Sequence, residues 1–428
     1  MSRARSLLQD LFSSIADLRP KFSTSSDERT IEALCCDLLA SNDETSIQRL
    51  GSLILGKYER LDEAGRERFF RFLNDEMDLD VHAIKAHAKR YLIDRDATNL
   101  SQLLHSSEPA RQELLRRLNQ VQDNHQRGAT HVLVGMRADL LKLAAKDDSL
   151  RITDLDFAHL FTSWFNRGFL RIEPISWHTP ADILAKIIQY EAVHAINDWD
   201  DLRSRLQPDD RRCFAFFHPA MPNEPLVFVE VALCKGVPTS IQEVLEKRSN
   251  SLMNNEVDTA AFYSISNCQR GLQGISFGNA LIKQVVADLS KEIPFLKNFV
   301  TLSPLPGFAK WLTAQQESLP ATHKTDLAQE EVALKRLSAR YLIEAKRPDG
   351  QPIDAVARFH LRNGASIHAL HTGADTSANG MKNSFGVMVN YAYDLPHVAG
   401  RHEAYVREQK IVASKDIMTL AAKSGKVI

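Results

Sequence analysis

The sequence predicts an α+β protein of more than one domain: a helical bundle over residues 1–155, then a mixed α/β region over residues 156–428. Three observations carry this reading. The chain has 428 residues, more than one ordinary core accommodates. Only two of its 16 prolines (Pro20, Pro109) and five of its 18 glycines fall in the first 150 residues, so helix breakers are scarce there. Alternating and continuous β-like runs begin only after Phe165-Asn-Arg-Gly168.

In chain order, the first 18 residues carry Arg and Ser like a transit peptide. They also hold Asp10 and Asp17, and their Leu/Phe/Ile spacing suits an ordinary helix. Ser25-Ser-Asp-Glu28 reads as a capping box ahead of Ile31, Leu34, Leu38 and Leu39. His131–Ala144 has a helical period through Val134, Met136, Leu140, Leu141 and Leu143. No candidate catalytic group lies in 1–155, which is assigned to stability and self-association. Arg212–His218 and Leu226–Leu233 are strand-like, and the Pro-rich turn 219–225 makes them a hairpin. Lys247–Asn255 reads as a polar loop. Ala261–Ser266 is a strand, and a helix follows with Leu281, Ile282, Val285, Val286 and Leu289 on one face. Phe299–Leu302 is strand-like. Leu312–Ala345 is helical and charged, with a break near Pro320. Asp354–Gly364 is a short helix stopped by Asn363-Gly364. Phe385–Tyr393 alternates with the period of a strand.

Composition removes several function classes. Lys+Arg is 53 and Asp+Glu is 54, for a formal net charge of -1, which leaves no footprint for bulk nucleic-acid binding. No apolar run is long enough for a transmembrane helix, so no membrane association is expected. The five cysteines (Cys35, Cys36, Cys213, Cys234, Cys268) are odd in number and lack CxxC spacing. This argues against a disulfide scaffold or zinc ribbon and for reduced thiols in a reducing compartment. His82/His87 and His368/His371 lack acidic or thiolate partners at zinc spacing, so no metal is assigned.

Three segments can carry chemistry. Gln269-Arg-Gly-Leu-Gln-Gly-Ile-Ser-Phe-Gly-Asn279 joins a strand to a helix. Its glycines leave backbone N–H groups uncovered at a helix N-terminus, which suits a pyrophosphate, with Arg270 and Lys283 adding charge. It is neither a Rossmann fingerprint nor a P-loop. A turn that is Gly-rich only for tight packing explains the spacing equally well. In Leu302-Ser-Pro-Leu-Pro-Gly-Phe308, Pro304 restricts Ser303 to an extended conformation. A serine capping the helix after Phe308 is the simpler reading on these residues alone. His360 lies in the last turn of its helix, where the helix dipole favours the imidazolium and a general acid or base is at home. A surface or capping histidine fits the same position.

Taken together, several stretches resemble the malonyl-CoA decarboxylase family. They are Leu133-Val-Gly-Met-Arg-Ala-Asp-Leu-Leu141, Gly168-Phe-Leu through Trp177-His-Thr-Pro180, Glu191-Ala-Val-His194, Phe262-Tyr-Ser-Ile-Ser266, the Gly-rich loop, Leu302–Phe308, Phe359-His-Leu-Arg-Asn-Gly364 and Gly386-Val-Met-Val-Asn-Tyr391. The resemblance is dense from about residue 130 to 420. It implies a helical N-terminal domain and a catalytic domain of the GNAT acyltransferase fold. It also implies a CoA pyrophosphate bound by Gln273, Gly274, Ile275, Ser276, Phe277, Gly278 and Asn279, a catalytic serine at Ser303, a catalytic histidine at His360 and an active-site tyrosine at Tyr393. Animal members commonly carry an acidic residue where this chain has Ser276.

The implied reaction converts malonyl-CoA to acetyl-CoA and CO2 through a thioester enolate protonated by a general acid, without cofactor or metal. Ser303 is expected to meet the malonyl carboxylate or thioester oxyanion, and His360 to supply the proton. Malonyl-CoA is the expected partner, with a homo-oligomer (dimer or tetramer) in the cytoplasm or mitochondrial matrix. The competing functions are a GNAT-type acyltransferase and a non-catalytic malonyl-CoA sensor.

Overall fold

In the computed structural model, which describes residues 27–122, 128–246, 257–275, 278–317 and 331–422, helices begin where short polar side chains can cap them. Aspartates 43, 62, 80 and 96 each accept a hydrogen bond from a backbone N–H two or three residues on, satisfying donors that a helix start leaves orphaned. The first described helix, Ile31–Ala40, is capped by Thr30. The cap expected at Ser25 falls outside the described residues, as do the N-terminal helix and the 247–255 loop.

The chain divides into two compact units. Residues through Trp164 form one, together with Arg270–Ile275; Phe165–Gln269 and the chain from Ser276 onward form the other. Helices supply the first. Its core holds Leu34, Leu38, Leu114, Leu133, Met136 and Phe157, with Tyr58, Phe69 and Phe70 packed edge to face. Two buried arginines complete it. Arg111 pairs with Asp78 at 2.8 Å and with Asp156. Arg137 donates to Asp154 at 2.7 Å and to the carbonyls of Gly271 and Gln273 at 2.7 and 2.9 Å.

The second unit is built on an eight-stranded sheet. Its strands are β1 (Arg171–Ile175), β2 (Arg211–Phe217), β3 (Val227–Cys234), β4 (Thr259–Asn267), β5 (Asn298–Thr301), β6 (Ser303–Pro304), β7 (Ser366–His371) and β8 (Met388–Ala392). The order is β1-β2-β3-β4-β5-β8-β6, with β7 also paired to β8. All pairings are antiparallel except β4 with β5. β2 and β3 form the hairpin expected across residues 219–225, and every residue of β3 is buried, including Glu230, whose carboxylate pairs with the buried Arg205 at 3.2 Å. Helix Gly278–Glu292 contacts β2 and β3. Its stripe of Leu281, Ile282, Val285, Val286 and Leu289 is wholly buried, each side chain worth about 1.5–3 kcal/mol relative to exposure. Helices Ala181–Tyr190 and Trp199–Leu206 contribute Ile183, Leu184, Ile187, Leu202 and Leu206 to a cluster with Cys213, Ala215, Phe217 and Phe228. The charged stretch expected over Leu312–Ala345 consists of helices Phe308–Glu317 and Glu331–Ile343; Pro320 lies outside the described residues. A helical N-terminal region followed by a mixed α/β sheet domain is therefore the architecture.

Among the described residues no helix is long and apolar enough to cross a membrane, and none of the five cysteines is in a disulfide.

Candidate active site

The site lies where β5 ends and the chain bends into β6. β4 and β5 pair from Thr259↔Asn298 to Phe262↔Thr301, and the Leu302 N–H donates to the Phe262 carbonyl at 2.9 Å. Beyond that bond they part. β6 pairs with β8, Ser303 opposite Val389 and Pro304 opposite Met388, while β4 continues along β3 alone. The sheet therefore forks after Phe262 and Leu302, and Ser303 is the first residue past the fork on one arm.

Pro304 keeps Ser303 extended, and the Ser303 hydroxyl caps no helix. It donates to Thr301 Oγ1 at 2.9 Å and lies 3.2 Å from His360 Nε2. His360 Nδ1 is 2.8 Å from the Tyr393 hydroxyl. Thr301 Oγ1 also accepts from the Tyr391 N–H at 3.1 Å, and the Asn390 amide donates to the Thr301 carbonyl at 2.9 Å. The His360 ring stacks on Tyr391 at a centroid distance of 4.5 Å. Its helix, Ala355–Arg362, is started by the Asp354 cap and ended at Asn363, with Gly364 at φ +85°, a conformation suited to glycine. Three elements from separate parts of the sequence thus bring Ser303, His360 and Tyr393 into one hydrogen-bonded chain.

The electrostatics correct one expectation. The helix dipole was expected to favour an imidazolium at His360. The ring is only 2% exposed, and burial pushes it down to about 3. Desolvation of a charged imidazole outweighs the dipole, which is worth typically 0.3–1 kcal/mol at an exposed helix end. His360 is neutral at pH 7. Burial also holds the Tyr393 hydroxyl well above its ordinary range, opposed by the neighbouring Asn363 side chain. An Nε2–H tautomer, assigned from its neighbours, gives one consistent set of donors: Tyr393 to His360, His360 to Ser303, Ser303 to Thr301.

The Gly-rich segment falls in two parts. Within the helical unit, Gly271 packs so close that a Cβ there would meet the Val134 carbonyl oxygen at 1.8 Å. Gln273 gives its carbonyl to Arg137. Gly274 has φ +82° with open space around its missing Cβ, and Ile275 follows. Ser276 and Phe277 lie outside the described residues. Gly278 and Asn279 open helix Gly278–Glu292 in the sheet unit.

Among the described residues no group of three or more His, Cys, Asp or Glu side chains is placed to hold a metal ion.

Comparison with known proteins agrees along the chain. The family model described as the malonyl-CoA decarboxylase C-terminal domain matches residues 168–333 and 318–427, and that described as the N-terminal domain matches residues 78–165. The chain belongs to the malonyl-CoA decarboxylase family. It is similar to the mitochondrial malonyl-CoA decarboxylase of Anser anser anser, 36% identical over 341 residues, or 69% of this chain and 67% of that protein. The Rattus norvegicus protein is 34% identical over 340 residues, 69% of each chain. Among solved structures, malonyl-CoA decarboxylase from Agrobacterium vitis is 43% identical with a TM-score of 0.85, covering 92% of this chain and 100% of that one. The Rhodopseudomonas palustris structure is also 43% identical, with a TM-score of 0.83 over 91% and 98%. The protein is a carboxy-lyase that decarboxylates malonyl-CoA.

Seen within the malonyl-CoA decarboxylase family, the site contains residues that sequence reasoning passed over. Thr301, Asn390 and Tyr391 surround Ser303 and His360, yet nothing in a Thr or Asn on a strand marks it as a site residue. Glu191 and His194 belong to one of the similar stretches, and their local sequence marks no role for them.

Proposed function

We propose that decarboxylation takes place at the fork, with Ser303 passing a proton to the substrate and the neutral His360 and Tyr393 resupplying it. The observation that carries this reading is the unbroken chain Tyr393–His360–Ser303 in a buried site. The C–C bond to the malonyl carboxylate breaks, CO2 leaves, and the electron pair stays as the thioester enolate. The Ser303 hydroxyl turns from Thr301 to the enolate and gives its proton to the α-carbon. The Nε2–H of His360 replaces it, Nδ1 takes the Tyr393 proton, a proton from water restores Tyr393, and loss of the Nδ1 proton with uptake of one at Nε2 returns the starting tautomer. The buried site keeps bulk water from competing for the enolate.

The backbone of Gln273, Gly274, Ile275, Ser276, Phe277, Gly278 and Asn279 is proposed to cradle the CoA pyrophosphate; the left-handed turn at Gly274 and the helix start at Gly278 support it. Residues 1–155 are proposed to mediate self-association as a dimer or tetramer. Helices Val81–Ile93 and Ala97–Ser106 contain no buried residue, and Leu92, Ile93 and Leu104 are 69%, 88% and 59% exposed, a surface that a second copy could cover. The cytoplasm is the proposed compartment, with the mitochondrial matrix as the alternative, supported by an odd number of cysteines without CxxC spacing.

The test is product analysis by mass spectrometry from malonyl-CoA alone, with Ser303→Ala alongside. Acetyl-CoA should form without any acceptor amine, and Ser303→Ala should lower kcat about 10²–10⁴-fold while CoA affinity stays nearly unchanged. Binding without turnover would favour a sensor, and acyl transfer only with an amine would favour an acyltransferase.

A further inference from the structure

On the second arm of the fork a loop carries a histidine outside the Tyr393–His360–Ser303 chain. His194 lies in the loop after helix Ala181–Tyr190 and is 8% exposed, with no partner at Nε2. Its backbone is held from both sides. The Glu191 carboxylate accepts from the N–H groups of Val193 and His194, both at 2.8 Å, and from the Ser264 and Ser266 hydroxyls of β4 at 2.7 and 3.2 Å. The Ala192 N–H donates to Ser266 Oγ at 3.2 Å. Arg205 donates to the carbonyls of His194 and Ala195 at 2.9 and 3.0 Å, and is itself paired with Glu230 and Asp201. These bonds hold the loop on β4 at Ser264–Ser266 and leave the ring's Nε2 to no structural task.

The ring sits beside the Tyr263 backbone, with Asp375 and Arg205 as the charged groups acting on it. Tyr263 is the first residue of β4 past the last bond to the other arm, and β4 steps out of register with β3 there, between Phe262 and Ser264. Ser303 is the first residue past that same bond on the opposite arm. The His194 ring, on the Tyr263 side, and Ser303 therefore flank the fork from its two arms. Asp375 belongs to the loop that joins the start of β8 through the Gly386 carbonyl, which puts His194 toward the β6–β8 arm.

We propose that His194 Nε2 binds the terminal carboxylate of malonyl-CoA. This rests on the reading of Ser303 given above: one arm of the fork supplies the proton while the other holds the group that leaves. Burial pushes the His194 ring down to about 4, with Asp375 opposing this and Arg205 adding to it. A buried unpaired carboxylate is costly, and an imidazole brought against one gains a proton. The carboxylate and a proton therefore enter together, and an uncharged acyl group has nothing to offer Nε2. His194 distinguishes malonyl-CoA from its product acetyl-CoA, which leaves with the proton debt discharged.

The test compares wild type, His194→Asn and His360→Gln as complete chains. In His194→Asn the KM for malonyl-CoA should rise about 10–100-fold, the value of one lost hydrogen bond to a charged group, while inhibition by acetyl-CoA should change less than about two-fold. S-(2-carboxyethyl)-CoA, in which CH2 replaces the thioester carbonyl so that CO2 cannot leave, should bind wild type more tightly than S-propyl-CoA, and progressively less tightly from pH 6 to pH 8. S-propyl-CoA should show no such trend. His194→Asn should lose the preference and its pH dependence, and His360→Gln should keep both. Equal affinity of wild type for the two thioethers overturns the inference without need of any variant, as does an unchanged KM in folded His194→Asn or a preference lost in His360→Gln but kept in His194→Asn. Normal turnover by Ser303→Ala would instead remove the reading of Ser303; a decarboxylase sensitive at Ser303 and indifferent at His194 removes only this inference.

Discussion

Replacing His360 by Gln tests the burial of an uncharged imidazole. The folded ring is held at about 3, against 6.5 for an unperturbed one. Between those values the unfolded chain binds a proton that the folded chain refuses. Stability contributed by the neutral ring is thus lost as pH falls below 6.5, and the loss levels off only near 3. At pH 5 the medium is 1.5 pH units below the unperturbed value, and each unit is worth about 1.4 kcal/mol. Taking pH 7 to pH 5 therefore withdraws about 2 kcal/mol through His360 alone. The glutamine variant lacks this contribution and shares the other titrating groups. Whatever its deficit against wild type at pH 7, that deficit should shrink by about 2 kcal/mol at pH 5. Urea unfolding followed by far-UV circular dichroism at both pH values measures the gap. A gap that stays constant would mean that the folded ring is charged or open to water, and the relay through a neutral His360 would fall with it.

Other substitutions probe the rest of the molecule. Gly274→Val forces a β-branched residue to φ +82°, which is strongly disfavoured, and should weaken CoA binding in equilibrium dialysis; normal affinity in the folded variant would remove the phosphate-cradle role. Arg137→Leu strands Asp154 and two carbonyls inside the helical unit, and should cost about 3–5 kcal/mol in denaturant unfolding; a loss below about 1 kcal/mol would show that water replaces the arginine. Ile93→Asp should yield a smaller species by light scattering at micromolar concentration, and an unaltered mass would remove helix Val81–Ile93 from the proposed self-association surface.

Much of this architecture is legible in local pattern. The alternation of Val387, Val389, Tyr391 and Tyr393 announces β8, and the apolar period through Leu281 and Leu289 announces the helix that packs on β2 and β3. Pro304 stiffens Ser303, and Asn363-Gly364 ends the helix of His360; both are consequences of backbone sterics within a few residues. Motifs recurring in one order along the chain were also enough to indicate the family, because several weak signals that agree are far more specific than any one.

What tertiary structure alone decided are quantities set by distant residues. The charge state of His360 depends on burial against Tyr391 and Tyr393, and no position within its helix encodes that. The first part of the Gly-rich segment belongs with the helical unit because Arg137, 134 residues from Gly271, holds its carbonyls and because only glycine clears the Val134 backbone. The fork exists because the chain leaves β4 after Leu302 and continues along β8 as β6, and strand partnership is a long-range choice that hydrophobic alternation leaves open. A histidine such as His194 has no sequence signature at all: its meaning comes from a buried nitrogen without a partner beside the gap between two strands.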